Sequence, residues 1–282
     1  MTNTAFLNRA VGLLVIEVVN SNPNGDPDRE SDPRTRPDGR GEISPVSFKR
    51  KIRDLIADKE GPVWQEVGAG FDAKCFDILE ARGRERDKIA KMDTKKFLET
   101  YWDARVFGTT FLEKKDQGGG AIQSGVVQFG LGVSIAPIEI ERQTTTNKAG
   151  VQEGKDRGMA PLGYRIVQHG VYCMPFFVNP TAAHKTKCTA EDIELLKKVI
   201  PYAYPQTASY ARTQVEIRHA WFAEHSSPLG SCSDFRILEA LQPVKKTDSD
   251  KPSISWSDYE VPGLDSLPTD IAKKVKLIDL IK

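Results

Sequence analysis

The stretch AVGLLVIEVVNSNPNGDPDRESDPRTRPDGRGEISPVSFKRKIRDLIAD, residues 10–58, passes from one apolar periodicity to another across a turn-rich segment. Its first ten residues are short, β-branched and almost continuously apolar, the pattern of a buried strand. Residues 20–43 hold four prolines and three glycines among Asn, Asp and Arg, which reads as a long loop. A loop of that length inside a compact domain is uncommon and tends to carry function. Ser44 then offers an N-cap with Pro45 at the first helical position, and Phe48, Ile52, Leu55 and Ile56 recur at helical spacing, giving a helix over 44–58.

Working outward, residues 60–100 read as helical but irregular, with the charged run ARGRERDKIAKMDTKK (81–96) on the surface. Beyond the Gly-rich DQGGG (116–120), the stretch VVQFGLGVSIAPIEIER (126–142) alternates. Val127, Phe129, Leu131, Val133 and Ile135 are expected on one face, with Gln128, Gly130, Gly132 and Ser134 on the other. The two glycines suggest that a backbone or a ligand approaches that side closely. Residues 142–160 are polar and YRIVQHGVYCMPFFV (164–178) resumes as strand, the form of a hairpin with an extended tip. TAEDIELLKKVIPYAY (189–204) predicts a second amphipathic helix capped by Thr189, with Ile193, Leu196 and Ile200 on one face. EIRHAWFAEH (216–225) reads as a strand, 244–258 as a polar linker, and 269–281 as a short C-terminal helix. Strand, helix, hairpin, helix, strand predicts an α+β fold with a ferredoxin-like, split βαβ core and large insertions.

The chain of 282 residues is 39% apolar and 28% charged, ordinary values for a globular protein. No apolar run approaches the ~18 residues of a membrane span. Glu17 interrupts the first apolar segment and no small-residue cleavage site follows, so a signal peptide is not expected. Cys75, Cys173, Cys188 and Cys232 show no C-x-x-C spacing, which fits reduced thiols in a cytoplasm. The net charge of +1 is far from that of a nonspecific nucleic-acid coat, so any such role rests on local placement of charge.

On the helix at 44–58, Lys49, Arg50 and Arg53 share an arc away from the apolar face. Two readings fit: a phosphate platform behind the helix N-terminus, or a solvated face on which Arg50 and Asp54 form an i,i+4 pair. In the loop, Asn22, Asn24, Gly25 and Asp26 favour turns. A metal site would need Asp26 and Asp28 to converge with further ligands, and the loop is poor in Glu and His. His184 and Cys188 are four apart but precede the helix start, and His169, His219 and His225 fall in expected strands. No G-x-S-x-G, H-E-x-x-H or P-loop pattern occurs. Nothing here calls for a metal or a cofactor, and the poor catalytic inventory weighs against an enzyme.

The run NPNGDPD (22–28), followed by Pro33-Arg34, Gly41-Glu42-Ile43 and FKRKIRD (48–54), resembles the backbone subunit of CRISPR type I surveillance complexes (Cascade), in the I-C/I-B branch. The first motif with its helix is highly specific. WDARVFG (102–108), SGVVQFGLGVSIAPI (124–138), RGMAPLGYRIVQHGVY (157–172) and SSPLGSCSDFRILEAL (226–241) support it, in the family's order and over most of the chain. The resemblance implies one RRM-like domain of the RAMP superfamily over 1–282, shaped like a hand of palm, fingers and thumb. Its fingers would be a helical insertion at about 60–120 and its thumb a hairpin at about 137–163.

The resemblance further implies a cytoplasmic, prokaryotic, non-catalytic subunit. Copies of it would line up along one CRISPR guide RNA and present it for pairing with target DNA. A large subunit, a small subunit and the RAMP subunit capping the guide's 5′ end would complete the complex. Carried over by position, Lys49, Arg50 and Arg53 would contact the RNA backbone, and Asn22, Asn24 and Gly25 would shape the loop beside it. Gln123 and Ser124 sit where the family's Gly-Pro-Val-Gln-like motif meets RNA, although this chain has Ser-Gly-Val-Val-Gln there. Arg142 and Arg157 would lie near phosphates, and Met159 would be an apolar wedge against an unstacked base. Two alternatives come from other classes. One is a metal-dependent endoribonuclease of the same superfamily using Asp26 or Asp28; the other is a small-molecule phosphate-binding enzyme resting on the cationic helix.

Overall fold

The computed structural model describes residues 7–81, 89, 92–109, 123–147 and 160–281. Its centre is the predicted strand, β1 (Ala10–Ser21). Around it the described residues build an eight-stranded sheet: β2 (Arg40–Ile43), β3 (Val127–Phe129), β4 (Gly132–Pro137), β5 (Ile140–Asn147), β6 (Ala160–Val178), β7 (Val215–His225) and β8 (Val275–Asp279). The spatial order is β8-β7-β1-β6-β4-β2, with β3 and β5 also paired to β6, and every pairing is antiparallel. Helices α1 (Pro45–Ala57) and α2 (Ala190–Val199) lie in the connections from β1 to β3 and β4, and from β6 to β7. Four strands in the order β7-β1-β6-β4, with a helix in each crossover, are the ferredoxin-like core expected from the element order.

β1 is apolar over Ala10–Ile16 because both of its faces are covered there. Leu14, Ile16 and Val18 face α1 and α2, packing with Phe48, Ile52, Ile193, Leu196 and Phe176. Val11, Leu13 and Val15 face the opposite layer, where Ile237 and Leu241 of the helix Asp234–Leu241 join Tyr259, Leu267 and Ile271. Both core helices are capped as expected. Ser44 accepts from the Ser47 amide, and Thr189 with Asp192 forms a reciprocal capping box.

Four expectations need correction. First, residues 40–43 belong to the sheet rather than the loop: β2 pairs with β4, and the Gly41 amide donates to the buried Ser134 Oγ at 2.8 Å. Second, the alternation over 127–135 changes phase at Gly130-Leu131. Val127 and Phe129 are buried in the main core, whereas Leu131 is exposed and Gly132, Ser134 and Ala136 are the buried set of β4. Backbone and side chains of the sheet make the close approach at the glycines: a Cβ would lie 2.9 Å from Pro175 at Gly130, and 3.0 Å from Met174 at Gly132.

Third, the C-terminal helix is a single turn, Thr269–Ala272; Val275–Asp279 instead forms β8 on the open edge of β7. An edge strand's unpaired amides and carbonyls demand partners, and the Asp279 carboxylate adds an acceptor for the Ala220 amide at 2.9 Å. Fourth, 244–258 is packed rather than a linker. Val244–Lys245 pairs with Tyr259–Glu260, and buried Ser253 meets His169 Nδ1 at 2.8 Å.

A buried ion pair ties the insertion to the core. The Arg105 guanidinium donates to Asp192 through Nε and Nη2, the latter at 2.6 Å, and to the carbonyls of Leu98, Glu99 and Cys75. All of its donor positions are used, and the Trp102 indole donates to the Asp192 carbonyl at 3.1 Å. With side chains 6% and 1% exposed, neither ion has a water alternative, so removing one leaves the other uncompensated. Asp192→Ala is expected to cost about 3–5 kcal/mol of stability in urea unfolding, more than the loss of a surface ion pair; a change below about 1 kcal/mol would contradict the clasp.

Candidate nucleic-acid interface

The turn-forming residues after β1 build a closed loop whose polar groups largely satisfy one another. Asn22 donates from its backbone to the Ala211 carbonyl at 2.7 Å and from Nδ2 to the Ser31 carbonyl at 2.8 Å. Asn24 Oδ1 accepts from the Ser44 amide at 2.7 Å, tying the loop to the start of α1, and its Nδ2 donates to the Gly25 carbonyl. Gly25 has no room for a side chain, since a Cβ would lie 2.9 Å from the Ser31 carbonyl. Asp26 accepts from the Asp28 amide at 3.2 Å and caps the short 3-10 turn Pro27–Arg29. Glu30 and Ser31 close the turn with φ of 51° and 65°. Asp28 is exposed, and among the described residues no group of three His, Cys, Asp or Glu side chains converges as a metal site would require.

This loop forms one wall of a cleft of about 310 Å³, completed by Gly163, Tyr164 and Arg165 of β6 and by Ser209, Ala211 and Arg212 before β7. Arg212 Nε donates to the Asn22 carbonyl at 2.9 Å. Arg165 is ion-paired with Asp32, which fastens the loop to the base of the β5–β6 hairpin. The Tyr164 ring meets Tyr210 edge to face at 5.1 Å. Two guanidinium groups and two tyrosines around a turn-rich loop are the residue types that bind phosphates and stack bases.

The cations of α1 divide between two sides. Arg50 pairs with Asp54 at 2.6 Å and donates to the Glu80 carbonyl at 2.8 Å. Arg53 pairs at 2.9 Å with Asp103, whose carboxylate also accepts the Leu79 and Glu80 amides. Both arginines therefore serve first to hold the inserted region. Lys49 is half-buried with its ammonium 5.2 Å from the Phe107 ring centre, and burial followed by the charge of Arg53 lowers its pKa. Phe107 leads into Gly108–Thr109, which pairs with Gln123–Ser124; the Ser124 side chain is exposed. Lys49, Arg53 and the Gln123–Ser124 strand thus gather around Phe107, separate from the residues lining the cleft.

Lys51, which the helical arc had set apart, faces the other way. Its ammonium donates to Thr207 Oγ1 at 2.8 Å and lies 5.0 Å from the Tyr204 ring centre. Burial, reinforced by Arg212, lowers its pKa to about 8. Arg142 is exposed on β5 directly opposite Arg165, a like-charged cross-strand pair. Arg157 and Met159 lie outside the described residues. Sequence reading missed Tyr164, Arg165, Tyr210, Arg212 and Lys51. The first two stand inside a quoted motif, whereas Arg212 sits in a polar stretch with no periodic signal.

The histidines are held in structural networks. His225 resembles the centre of a hydrolytic triad, with Ser231 Oγ at 3.0 Å and Asp234 at 2.9 Å. However, Ser231 Oγ donates to the Lys274 carbonyl at 2.6 Å, and the Ser231 amide occupies His225 Nδ1 at 3.0 Å. That leaves no nitrogen to take a hydroxyl proton. His169 bridges Glu17 and Ser253, and His219 bonds Asp279 while stacking on Trp221.

The family model described as CRISPR-associated protein Cas7 matches residues 8–263. A CRISPR-associated protein Cas7 of Haloferax volcanii is 28% identical over 222 residues, covering 67% of this chain and 62% of that protein. The chain therefore spans about three fifths of that relative's length. Among solved structures, a chain of a CRISPR RNA-guided surveillance complex in a pre-nicking state aligns with a TM-score of 0.49 at 13% identity, covering 77% of this chain and 78% of that one. A chain of another CRISPR RNA-guided surveillance complex aligns with a TM-score of 0.43 at 15% identity, over 76% and 68%.

The depressed pKa of Lys51 has a thermodynamic consequence. Its charge opposes folding below about pH 8, and that cost fades as pH rises toward the ordinary value of 10.5. The stability of Lys51→Met relative to the parent, from urea unfolding, is therefore expected to fall as pH rises from about 8 toward 10.5. A difference independent of pH would show that the ammonium is not desolvated.

Proposed function

The chain belongs to the Cas7 family of CRISPR-associated proteins, and we propose that it is a non-catalytic backbone subunit that coats a CRISPR guide RNA. In this reading several copies line up along one guide in a type I surveillance complex, and the guide pairs with target DNA. The large and small subunits and the RAMP subunit at the guide's 5′ end are the remaining partners, and the complex works in the prokaryotic cytoplasm.

The observation that carries the reading is the cleft. Three segments far apart in sequence, the 22–31 loop, the base of the β5–β6 hairpin and residues 209–212, meet there around two arginines and two tyrosines. Arg165 is paired with Asp32 and Glu30 also lines the cleft, so the positive charge offered to a phosphate there rests chiefly on Arg212, a local rather than a general attraction in a protein with a net charge of only +1. The hairpin is the proposed thumb, over about 137–163, and the insertion at about 60–120 the fingers. Arg142, Arg157 and Met159 are proposed to meet RNA from the thumb. Lys49, Arg53, Gln123 and Ser124 are proposed to meet it beside Phe107, and Arg50 from the same helix, with Asn22, Asn24 and Gly25 shaping the loop. Asp26 is occupied as a turn cap, which supports a structural role for the aspartates. Sequence readout is left to base pairing, so backbone and shape contacts suffice.

Protein purified at low salt is expected to carry RNA, seen as excess absorbance at 260 nm, with affinity falling steeply as salt rises. Arg212→Gln should weaken binding alike for all sequences and reduce the salt slope by about one. A chain that stays monomeric and binds no single-stranded RNA would overturn the proposal. Magnesium-dependent cutting of complementary RNA that disappears in Asp26→Ala would replace it with the endoribonuclease reading.

A further inference from the structure

The Arg165–Asp32 ion pair differs in kind from the Arg105–Asp192 clasp. Its side chains are 39% and 20% exposed, against 6% and 1% in the clasp, so an anion from solution can reach the Arg165 guanidinium. Arg165 also lines the cleft. Of the several N–H donors of a guanidinium, Arg165 spends only Nη1, on Asp32 Oδ2, among the described residues. The loop does not depend on that bond, because Asn22 and Asn24 close it and Asn24 Oδ1 holds the Ser44 amide. Both partners face a like charge. Arg142 lies opposite Arg165 on β5, and Asp26 lies opposite Asp32 across the short pairing within the loop. Such cross-strand pairs repel. The Arg142 guanidinium stands beside Gly163 of the cleft, where a Cβ would lie 3.5 Å from its Nη2, and among the described residues no carboxylate is paired with it. Asp32 engages Arg165 alone, through one bond. A phosphate between the two arginines would neutralise both, and it offers oxygens to each guanidinium fork.

We propose that Asp32 is a displaceable phosphate mimic, which holds Arg165 in the RNA-free chain and yields it to an RNA phosphate shared with Arg142. The assignment rests on the RNA-coating reading and adds to it a regulation of the same cleft. An isolated anion must compete with Asp32 for Arg165. A nucleic-acid strand that also engages Arg212 and the Tyr164 ring brings enough further contacts to win that exchange.

The test follows a short fluorescein-labelled oligouridylate binding to the full chain by fluorescence anisotropy across a salt series. Asp32→Asn removes the competing charge and keeps the side chain's shape. It is expected to bind about two- to fivefold more tightly than the parent, the worth of an exposed ion pair. Displacement in the parent leaves a bare carboxylate that regains a counterion, so the slope of log affinity against log salt should steepen by about 0.7 in the variant. Glu30→Gln removes the same charge from the same cleft at a residue not paired with Arg165, and controls for the general field. The gain from Asp32→Asn should exceed that control, and in an Arg165→Gln background it should shrink to the control's size. If Asp32→Asn does not fold, Asp32→Ser carries the same comparison. Unchanged or weaker binding by the variant means that the pair persists with RNA bound; it overturns the latch and leaves RNA coating intact. A gain no larger than that of Glu30→Gln, or one that survives Arg165→Gln undiminished, is a field effect and overturns the latch as well. Failure of parent and variants alike to bind the oligonucleotide overturns RNA coating itself.

Discussion

The fold depends on a central strand that must be covered on both faces. β1 alternates two apolar sets, Leu14, Ile16 and Val18 toward one layer and Val11, Leu13 and Val15 toward the other, all with at most 3% exposure. Hydrophobic burial at roughly 25 cal/mol per Å² makes each uncovered side costly, so helices must lie on one face and the 237–271 segment on the other. The flanking strands β6 and β7 take up its backbone bonds, with a register shift on β7 where Arg218 and His219 pass the Val15/Ile16 position. Glu17, the one ionic residue of β1, is paired by His169 at 3.2 Å and Arg218 at 3.2 Å. With β1 pinned this way, the end at Ser21 and Asn22 has one position relative to the starts of β6 and β7, and the cleft forms there.

Rigidity at the cleft comes from many small bonds. The loop is closed by Asn22, Asn24 and Asp26, anchored to α1 through the Ser44 amide, and fastened to the hairpin base through Asp32 and Arg165. A preorganised wall loses less entropy on binding than a flexible one. The cations of α1 follow a different logic. Arg50 and Arg53 spend their donors on Asp54, Glu80 and Asp103, so their first task is to seat the insertion that Arg105 clasps from the other side. Helical spacing foretold the Arg50–Asp54 pair, but not the reach of Arg50 to the Glu80 carbonyl or of Arg53 to Asp103, because spacing places a side chain on an arc and says nothing of what the neighbouring segment offers it.

Local chemistry was legible wherever it is short-range. β1, α1 with its Ser44 cap, α2 with its Thr189 cap and the β5–β6 hairpin are set by periodicity and capping within a few residues. Reading failed where a segment's state depends on a distant partner. β2 looks like loop until β4 supplies its ladder. Val275–Asp279 looks like the end of a helix until the free edge of β7 draws it into the sheet. The phase change at Gly130-Leu131 is invisible to an alternating pattern, since the break costs nothing in local propensity and is imposed by packing against Pro175 and Met174.

The amino-acid sequence by itself determined the α+β class, the split βαβ order, the turn character of residues 22–31 and, through the NPNGDPD and KRKIRD motifs, the resemblance to a Cascade backbone subunit. These follow from propensity, period and motif, all readable within a window of residues. Only the tertiary structure decided which cations face the cleft. It brought Arg165 and Arg212 to one cleft with Asn22 from 143 and 190 positions away in the chain (165 − 22 and 212 − 22), and turned Arg50 toward the Glu80 carbonyl and Arg53 toward the Asp103 carboxylate of the insertion. The physical reason is that a side chain's partner is fixed by the three-dimensional meeting of strands, where electrostatic satisfaction and burial are settled together, and no local pattern encodes that meeting.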